Sequence, residues 1–277
     1  MNEKTARNFS EYITMQLTGG LGNQLFGLAT VLSLAKRRGL SPAVSLFEFE
    51  KNSRKFELGS VCARSGIPFV EQEVNIYKEE SIFEYNENIE TVQGGTRLIG
   101  YFQDYKYFDD QREFVIDTLL SDLERESLKV PDQSIAVHVR RGDYLTPVHM
   151  KHHGICDFEY YSDSVSILRS IWGNLPVRIF SDDPYTAIEI GSIIPNSTTF
   201  NDDGLTPWEI LLEMAKKKCL VASNSSFSWW SGYLSQKSYG DIIIPEPWIN
   251  DKSNKSLKIS GWISLPRIGL RIPEVMN

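Results

Sequence analysis

Between residues 135 and 244, short apolar runs alternate with amphipathic stretches, and this alternation restricts the fold more than any other feature of the sequence. Ile135 to Val139, Val177 to Phe180, Cys219 to Ala222 and Asp241 to Ile244 read as strands, with Thr198 to Phe200 as a shorter one. Tyr160 to Trp172 reads as a helix. Asp183 before Pro184 marks a second helix start, an N-cap with Pro at the first helical position. Thr206-Pro-Trp-Glu209 spells a capping box, and its helix is expected to run to Lys218. A fourth helix should open within Ser223 to Trp230. Strands and helices taking turns predict a parallel sheet with helices on both faces.

Three of these strands end in polar residues: Arg140-Arg-Gly-Asp143, Ser181-Asp182, and Ser225-Ser226. The ends of parallel strands lie along one edge, where open α/β sheets bind ligands. Adjacent guanidiniums bind phosphate oxygens in pairs, and a helix start offers unpaired N–H groups. A carboxylate suits a ribose hydroxyl or a purine N–H. Together these are the needs of a nucleotide sugar. Taken alone, the stretch from Ile135 to Tyr144 also admits plainer readings. Arg140 and Arg141 would then be surface charges, Asp143 a cap and His138 a structural residue. The tripeptide Arg141-Gly142-Asp143 matches an adhesion signal that is common by chance.

The first half opens with a strand, Tyr12 to Leu17, and a glycine-rich turn, Thr18 to Gln24. A helix follows with Leu25, Leu28, Ala29 and Leu32 on one face. Lys36, Arg37 and Arg38 favour its C-terminal dipole, and Gly39 stops it. The turn is neither G-x-G-x-x-G nor a P-loop, so a ligand-free βα turn is the alternative. Ala43 to Phe47 and Arg97 to Phe102 are further strand candidates. Phe114 to Leu128 reads as one helix with apolar residues at Phe114, Ile116, Leu119, Leu120 and Leu123. Residues 48 to 96 read as loops and short helices. The polar link Lys129 to Gln133 sets an expected boundary between domains 1–130 and 131–277.

The bulk numbers narrow the class. The chain has 277 residues and a formal net charge of −7, which argues against nucleic-acid binding. Three cysteines without a C-x-x-C pair point to free thiols in a reducing compartment. The N-terminal residues lack the apolar core of a signal peptide, and no run is long enough for a membrane helix. The sequons at Asn196, Asn224 and Asn254 therefore carry no weight. The expectation is a cytoplasmic protein, with peripheral attachment to the inner membrane face left open.

Several blocks, in this order, resemble a known family: Gly19-Gly-Leu-Gly-Asn-Gln-Leu-Phe26, His138-Val-Arg-Arg-Gly-Asp-Tyr144, Phe180-Ser-Asp-Asp183 and Asn224-Ser-Ser-Phe-Ser-Trp-Trp230. Gly100-Tyr-Phe-Gln103 and Pro247-Trp248 fit the same pattern, and the blocks span roughly residues 13 to 248. They are similar to the bacterial-type α-1,2-fucosyltransferases of glycosyltransferase family 11, within the GDP-fucose-dependent superfamily. The resemblance implies an α/β, GT-B-like fold, with two Rossmann-like domains facing across a cleft. It implies inverting transfer of L-fucose from GDP-β-L-fucose to a galactoside hydroxyl, free or on a lipid-linked glycan, usually at position 2. It implies no metal, and the sequence has no Asp-x-Asp of the metal-dependent type.

The resemblance also implies roles. Arg140 would hold the β-phosphate with Arg141 close by, and His138 would help seat the nucleotide. Asp182 would contact guanine or ribose. Ser225, Ser226 and Phe227 would add hydroxyl, N–H and stacking contacts, and Asn23 would reach the donor from the N-terminal domain. Asp143 is the first candidate for general base, with Asp104 and His153 as alternatives. Trp229 and Trp230 would pack in the core. His152-His153-Gly-Ile-Cys156 would form a loop at the rim. The rival readings are a non-catalytic nucleotide- or glycan-binding module and a transferase using another GDP sugar.

Overall fold

The computed structural model describes residues 9–49, 54–235, 240–250, 253 and 255–268. The chain divides into two compact units, Met1–Asp122 and Leu123–Asn277. The division falls before the expected 130/131 boundary, inside a short helix that precedes the polar link.

The first unit is built on a four-stranded parallel sheet. Its strands are β1 (Tyr12–Gln16), β2 (Ser41–Ser45), β3 (Asn75–Lys78) and β4 (Thr96–Ile99), in the order β2-β1-β4-β3. Helix α1 (Leu21–Arg38) follows β1 directly and ends at Gly39, whose φ of 64° places it in the left-handed region. Its N–H donates back to the Ala35 and Lys36 carbonyls, which closes the last turn. The sequence suggested one apolar face, yet α1 is buried around most of its circumference from Leu21 to Ala35. It packs on β1, β2 and the later helix α3 (Arg112–Leu119), so it is the central element of the unit. The region 48–96 holds helix α2 (Gly59–Arg64), a 3-10 turn and β3, a strand the sequence did not reveal.

The expected single helix over 114–128 is two: α3 (Arg112–Leu119) and α4 (Asp122–Leu128). Leu120 leaves the helix in an extended conformation, and Leu123 then faces solvent at 85% exposure.

The second unit carries a six-stranded parallel sheet. Its strands are β5 (Asp132–Val139), β6 (Val177–Ser181), β7 (Ser197–Thr199), β8 (Lys217–Val221), β9 (Ile242–Glu246) and β10 (Ile263–Pro266), in the order β10-β9-β8-β5-β6-β7. The intervening helices are α5 (Pro147–His153), α6 (Phe158–Trp172), α7 (Pro184–Ile193), α8 (Pro207–Ala215) and α9 (Ser226–Leu234). Side chains alternate across β5. Ile135, Val137 and Val139 join a core with α6 and α7, whereas His138 points the other way and meets Phe227 of α9. Helices thus cover both faces. Trp229 and Trp230 are fully buried. α8 ends at Ala215 and not Lys218, because β8 already begins at Lys217.

Both helix starts read from sequence are present. The Asp183 carboxylate accepts from the Tyr185 N–H. Thr206 and Glu209 form a reciprocal capping box. Replacing Thr206 by Ala removes that box, so urea unfolding should show a loss of about 1 kcal/mol. The midpoint should fall while the denaturant slope stays unchanged.

Candidate active site

β5 lies between β8 and β6, all parallel, with Val139 beside Ser181 and Val137 beside Val221. The residues leaving these strands are therefore neighbours: Arg140 to Gly142 after β5, Asp182 after β6, and Ser223 to Ser225 after β8. Local sequence explains the placement. Each strand is a short apolar run, and each gives way to a turn or cap residue at the same edge.

The centre of the site is Asp182. One carboxylate oxygen pairs with Arg140 Nη1 at 2.6 Å, and the other accepts the backbone N–H of Arg141 at 2.8 Å. The approach needs Gly142, which has φ of 31°; a Cβ there would lie 2.5 Å from Asp182 Oδ2. Arg140 stays partly exposed, and its guanidinium lies 5.3 Å from the centre of the Tyr144 ring. The Tyr144 ring stacks on His153 at 4.6 Å and 10°, and its hydroxyl donates to the Asn224 carbonyl. Both oxygens of Asp182 are thus engaged by the arginine turn.

Arg141 turns inward. Its side chain is buried, with Nη1 donating to the Arg140 carbonyl and Nη2 to the Cys156 carbonyl at 2.9 Å. It ties the turn to the segment after α5. Asn224, buried and unassigned from sequence, donates to the His153 and Gly154 carbonyls. Arg267, just past β10, donates to the His153 carbonyl and to the Asn250 side chain. Nothing in the sequence marked Arg267. Asn224 lay inside the serine block and Tyr144 ended the arginine string, so both had a signal. Helix α5 is capped by Thr146 with Pro147 first, and of the expected loop 152–156 it takes in His152 and His153, while residues 154–157 form neither helix nor strand.

His138 is buried, and its Nδ1 is hydrogen-bonded to Ser223 Oγ at 2.8 Å. Burial, with the Arg140 charge adding to it, pushes its pKa down to about 3. It is a neutral imidazole that shapes the site floor and meets the Phe227 ring at 5.6 Å. Burial pushes the Cys156 thiol up to about 12, so it is no nucleophile. Ser225 caps α9, its side chain accepting from the Phe227 N–H. Ser226 and Phe227 open that helix half-buried at the same edge. The backbone of Asp143 lies in the 3-10 turn Gly142–Leu145; its side chain lies outside the described residues.

Asn23 and Asp104 belong to the first unit. Asn23 Oδ1 accepts from Gln103 Nε2 at 2.7 Å. The buried Asp104 carboxylate accepts the N–H groups of Tyr85 and Lys106 and caps the turn Tyr105–Tyr107. His153 keeps a place near Arg140 through Tyr144. Among the described residues, no group of three or more His, Cys, Asp or Glu is placed to hold a metal ion. No helix among them is long and apolar enough to cross a membrane.

Residues 2–266 match the family described as Glycosyl transferase family 11. An Alpha-1,2-colitosyltransferase of Escherichia coli is 29% identical over 272 residues, covering 85% of this chain and 92% of that protein. The O-antigen biosynthesis glycosyltransferase WbnK of Escherichia coli is 26% identical, covering 90% and 99%. The crystal structure of the fucosyltransferase NodZ from Bradyrhizobium has a similar fold, with a TM-score of 0.51 at 13% identity over 81% of this chain and 92% of that one.

The depressed pKa of His138 has a pH consequence with a definite sign. The unfolded chain takes up a proton at this His below about pH 6.5, and the folded one does so only near 3. Stability from this group is complete above 6.5 and falls by up to about 1.4 kcal/mol per pH unit between 6.5 and 3. Urea unfolding of His138→Gln at pH 7 and pH 5 should show a smaller acid loss than the wild type. Equal losses would assign the acid sensitivity to other groups.

Proposed function

This chain belongs to glycosyl transferase family 11, and from that premise we propose that it transfers L-fucose from GDP-β-L-fucose to a galactoside hydroxyl, forming an α-1,2 link without a metal. It is a glycosyltransferase by family. The donor, acceptor and linkage are our reading. The observation that carries it is the Arg140 turn. A partly exposed guanidinium is held by Asp182 at the carboxyl edge of a parallel sheet, next to the N-terminus of α9.

In this reading the diphosphate lies against Arg140 and the start of α9. The acceptor oxygen attacks the anomeric carbon from the face opposite the diphosphate, and the bond from that carbon to the phosphate oxygen breaks. The electron pair leaves with GDP, and the acceptor proton passes to a base, for which Asp143 is our first candidate. Negative charge grows on the leaving oxygens as the bond opens, and Arg140 is a fixed cation where it grows. Asp182 and Arg141 act on the geometry of that cation, through the ion pair and through the backbone of the turn. His138, Ser225, Ser226 and Phe227 would line the nucleotide.

A second reading rests on the colitosyltransferase relative: the sugar moved is colitosyl, with the same leaving group and the same role for Arg140. A non-catalytic binding module would bind GDP and release none from the donor.

Losing a contact to developing charge typically costs about 2.7–4 kcal/mol of barrier, or roughly 10²–10³ in kcat. Arg140→Ala should fall in that range, and Arg140→Lys should be nearly as poor, because one ammonium cannot reproduce the planar pair of donors. Full turnover of Arg140→Lys with GDP-fucose and lactose would exclude this role. GDP release should require acceptor and survive EDTA. Release only from GDP-colitose would select the second reading. Asp143→Asn should lower kcat and remove the acid limb of its pH profile; an unchanged profile would remove Asp143 as base.

A further inference from the structure

In the first unit the turns leaving β1 and β4 are neighbours, because those strands pair in parallel with Gln16 beside Ile99. The turn after β4, Gly100-Tyr-Phe-Gln103, is unusual. Phe102 has φ of 51°, a left-handed conformation in a residue that carries a fully buried ring. Such a conformation in a bulky residue persists only where its surroundings enforce it, and it is characteristic of sites built for a purpose.

The enforcing group is Glu79, the first residue after β3. Its Oε2 accepts the Tyr101 N–H at 2.7 Å, and its Oε1 accepts the Phe102 N–H at 2.9 Å. Its own N–H donates to the Ile99 carbonyl at 2.8 Å. A Cβ on Gly100 would lie 2.4 Å from the Glu79 Cβ, so the approach requires glycine at that position. Burial raises the Glu79 pKa, and the two N–H groups oppose the rise. The result is a carboxylate gripping two consecutive backbone amides.

The product of that grip is the position of Gln103. It is 9% exposed, and its Nε2 donates to Asn23 Oδ1 at 2.7 Å. Two side-chain amides are thereby joined at the carboxyl edge of a parallel sheet, where such sheets take ligands. An amide has both donor and acceptor atoms, and the bond to Asn23 uses only the donor end of Gln103. Neither turn, Gly19 to Gln24 or Gly100 to Gln103, contains a Lys or Arg. Neutral amides beside Tyr101 suit uncharged hydroxyls.

We propose that Gln103, joined to Asn23, binds hydroxyl groups of the acceptor sugar, and that Glu79 is the positioning residue that holds Gln103 in place. This rests on the sugar-transfer reading above. Gln103 would touch substrate directly. Glu79 would act through the 100–103 turn alone.

The test uses the full chain and the variants Gln103→Ala and Glu79→Gln. Steady-state rates are measured with GDP-fucose and lactose. GDP and methyl β-galactoside binding are measured by calorimetry, and thermal unfolding is followed in parallel. Loss of one neutral hydrogen bond should raise the lactose KM and weaken galactoside binding by roughly threefold to tenfold. Donor KM and GDP affinity should stay within about twofold. Glu79→Gln should copy that pattern, because an amide NH₂ in place of one oxygen opposes a backbone N–H. A merely structural Glu79 would lower the unfolding temperature and leave the acceptor-to-donor split unmoved. Unchanged lactose KM in Gln103→Ala, or a shift in the donor KM instead, overturns the inference while leaving the transfer reading intact. A wild type that binds GDP but neither binds the galactoside nor transfers to lactose overturns both.

Discussion

The site of the second unit depends on one carboxylate. Asp182 holds the Arg140 guanidinium with one oxygen and the Arg141 backbone N–H with the other. A guanidinium on a turn is otherwise a long, freely rotating charge, and ordering it at the moment of reaction would raise the barrier. Pairing it beforehand moves that ordering into folding. The pair is partly exposed, so its net contribution to stability is small, and its effect lies in where it puts the charge.

The surroundings of that turn follow the same logic. Gly142 permits the close approach of Asp182, and Arg141 is drawn inward to the Cys156 carbonyl. Asn224 and Arg267 hold the carbonyls of the segment that follows α5. Tyr144 bridges Arg140 and His153 by ring contacts. Four segments far apart in sequence thus fix one short stretch of backbone. In the first unit Glu79 does for the 100–103 turn what Asp182 does for the Arg140 turn: a carboxylate after one strand grips the backbone after its neighbour.

Much of this was legible in the sequence, for a physical reason. Apolar runs that end in Arg140, Asp182 and Ser225 identify buried parallel strands, and parallel strands bring their ends together. The capping residues Asp183 and Thr206 state their helices outright. What escaped was set by tertiary contact. β3 has mostly exposed residues, so no alternation marks it. α3 and α4 form one apolar pattern, broken at Leu120. Arg141 and Asp182 carry the residue types of a ligand site, and only the close approach at Gly142 reveals that they also bond within the turn. Gln103 and Glu79 belong to different strand ends, and their connection exists only once β3 and β4 pair.

The central claim is that Asp182 works through Arg140. A double-mutant cycle on turnover of the nucleotide sugar, with Arg140→Ala, Asp182→Asn and the combined variant, measures that dependence directly. The account predicts that Asp182→Asn lowers kcat in the wild-type background and has almost no further effect once Arg140 is Ala. Two losses that simply add would contradict it and would return Asp182 to an independent contact with the nucleotide.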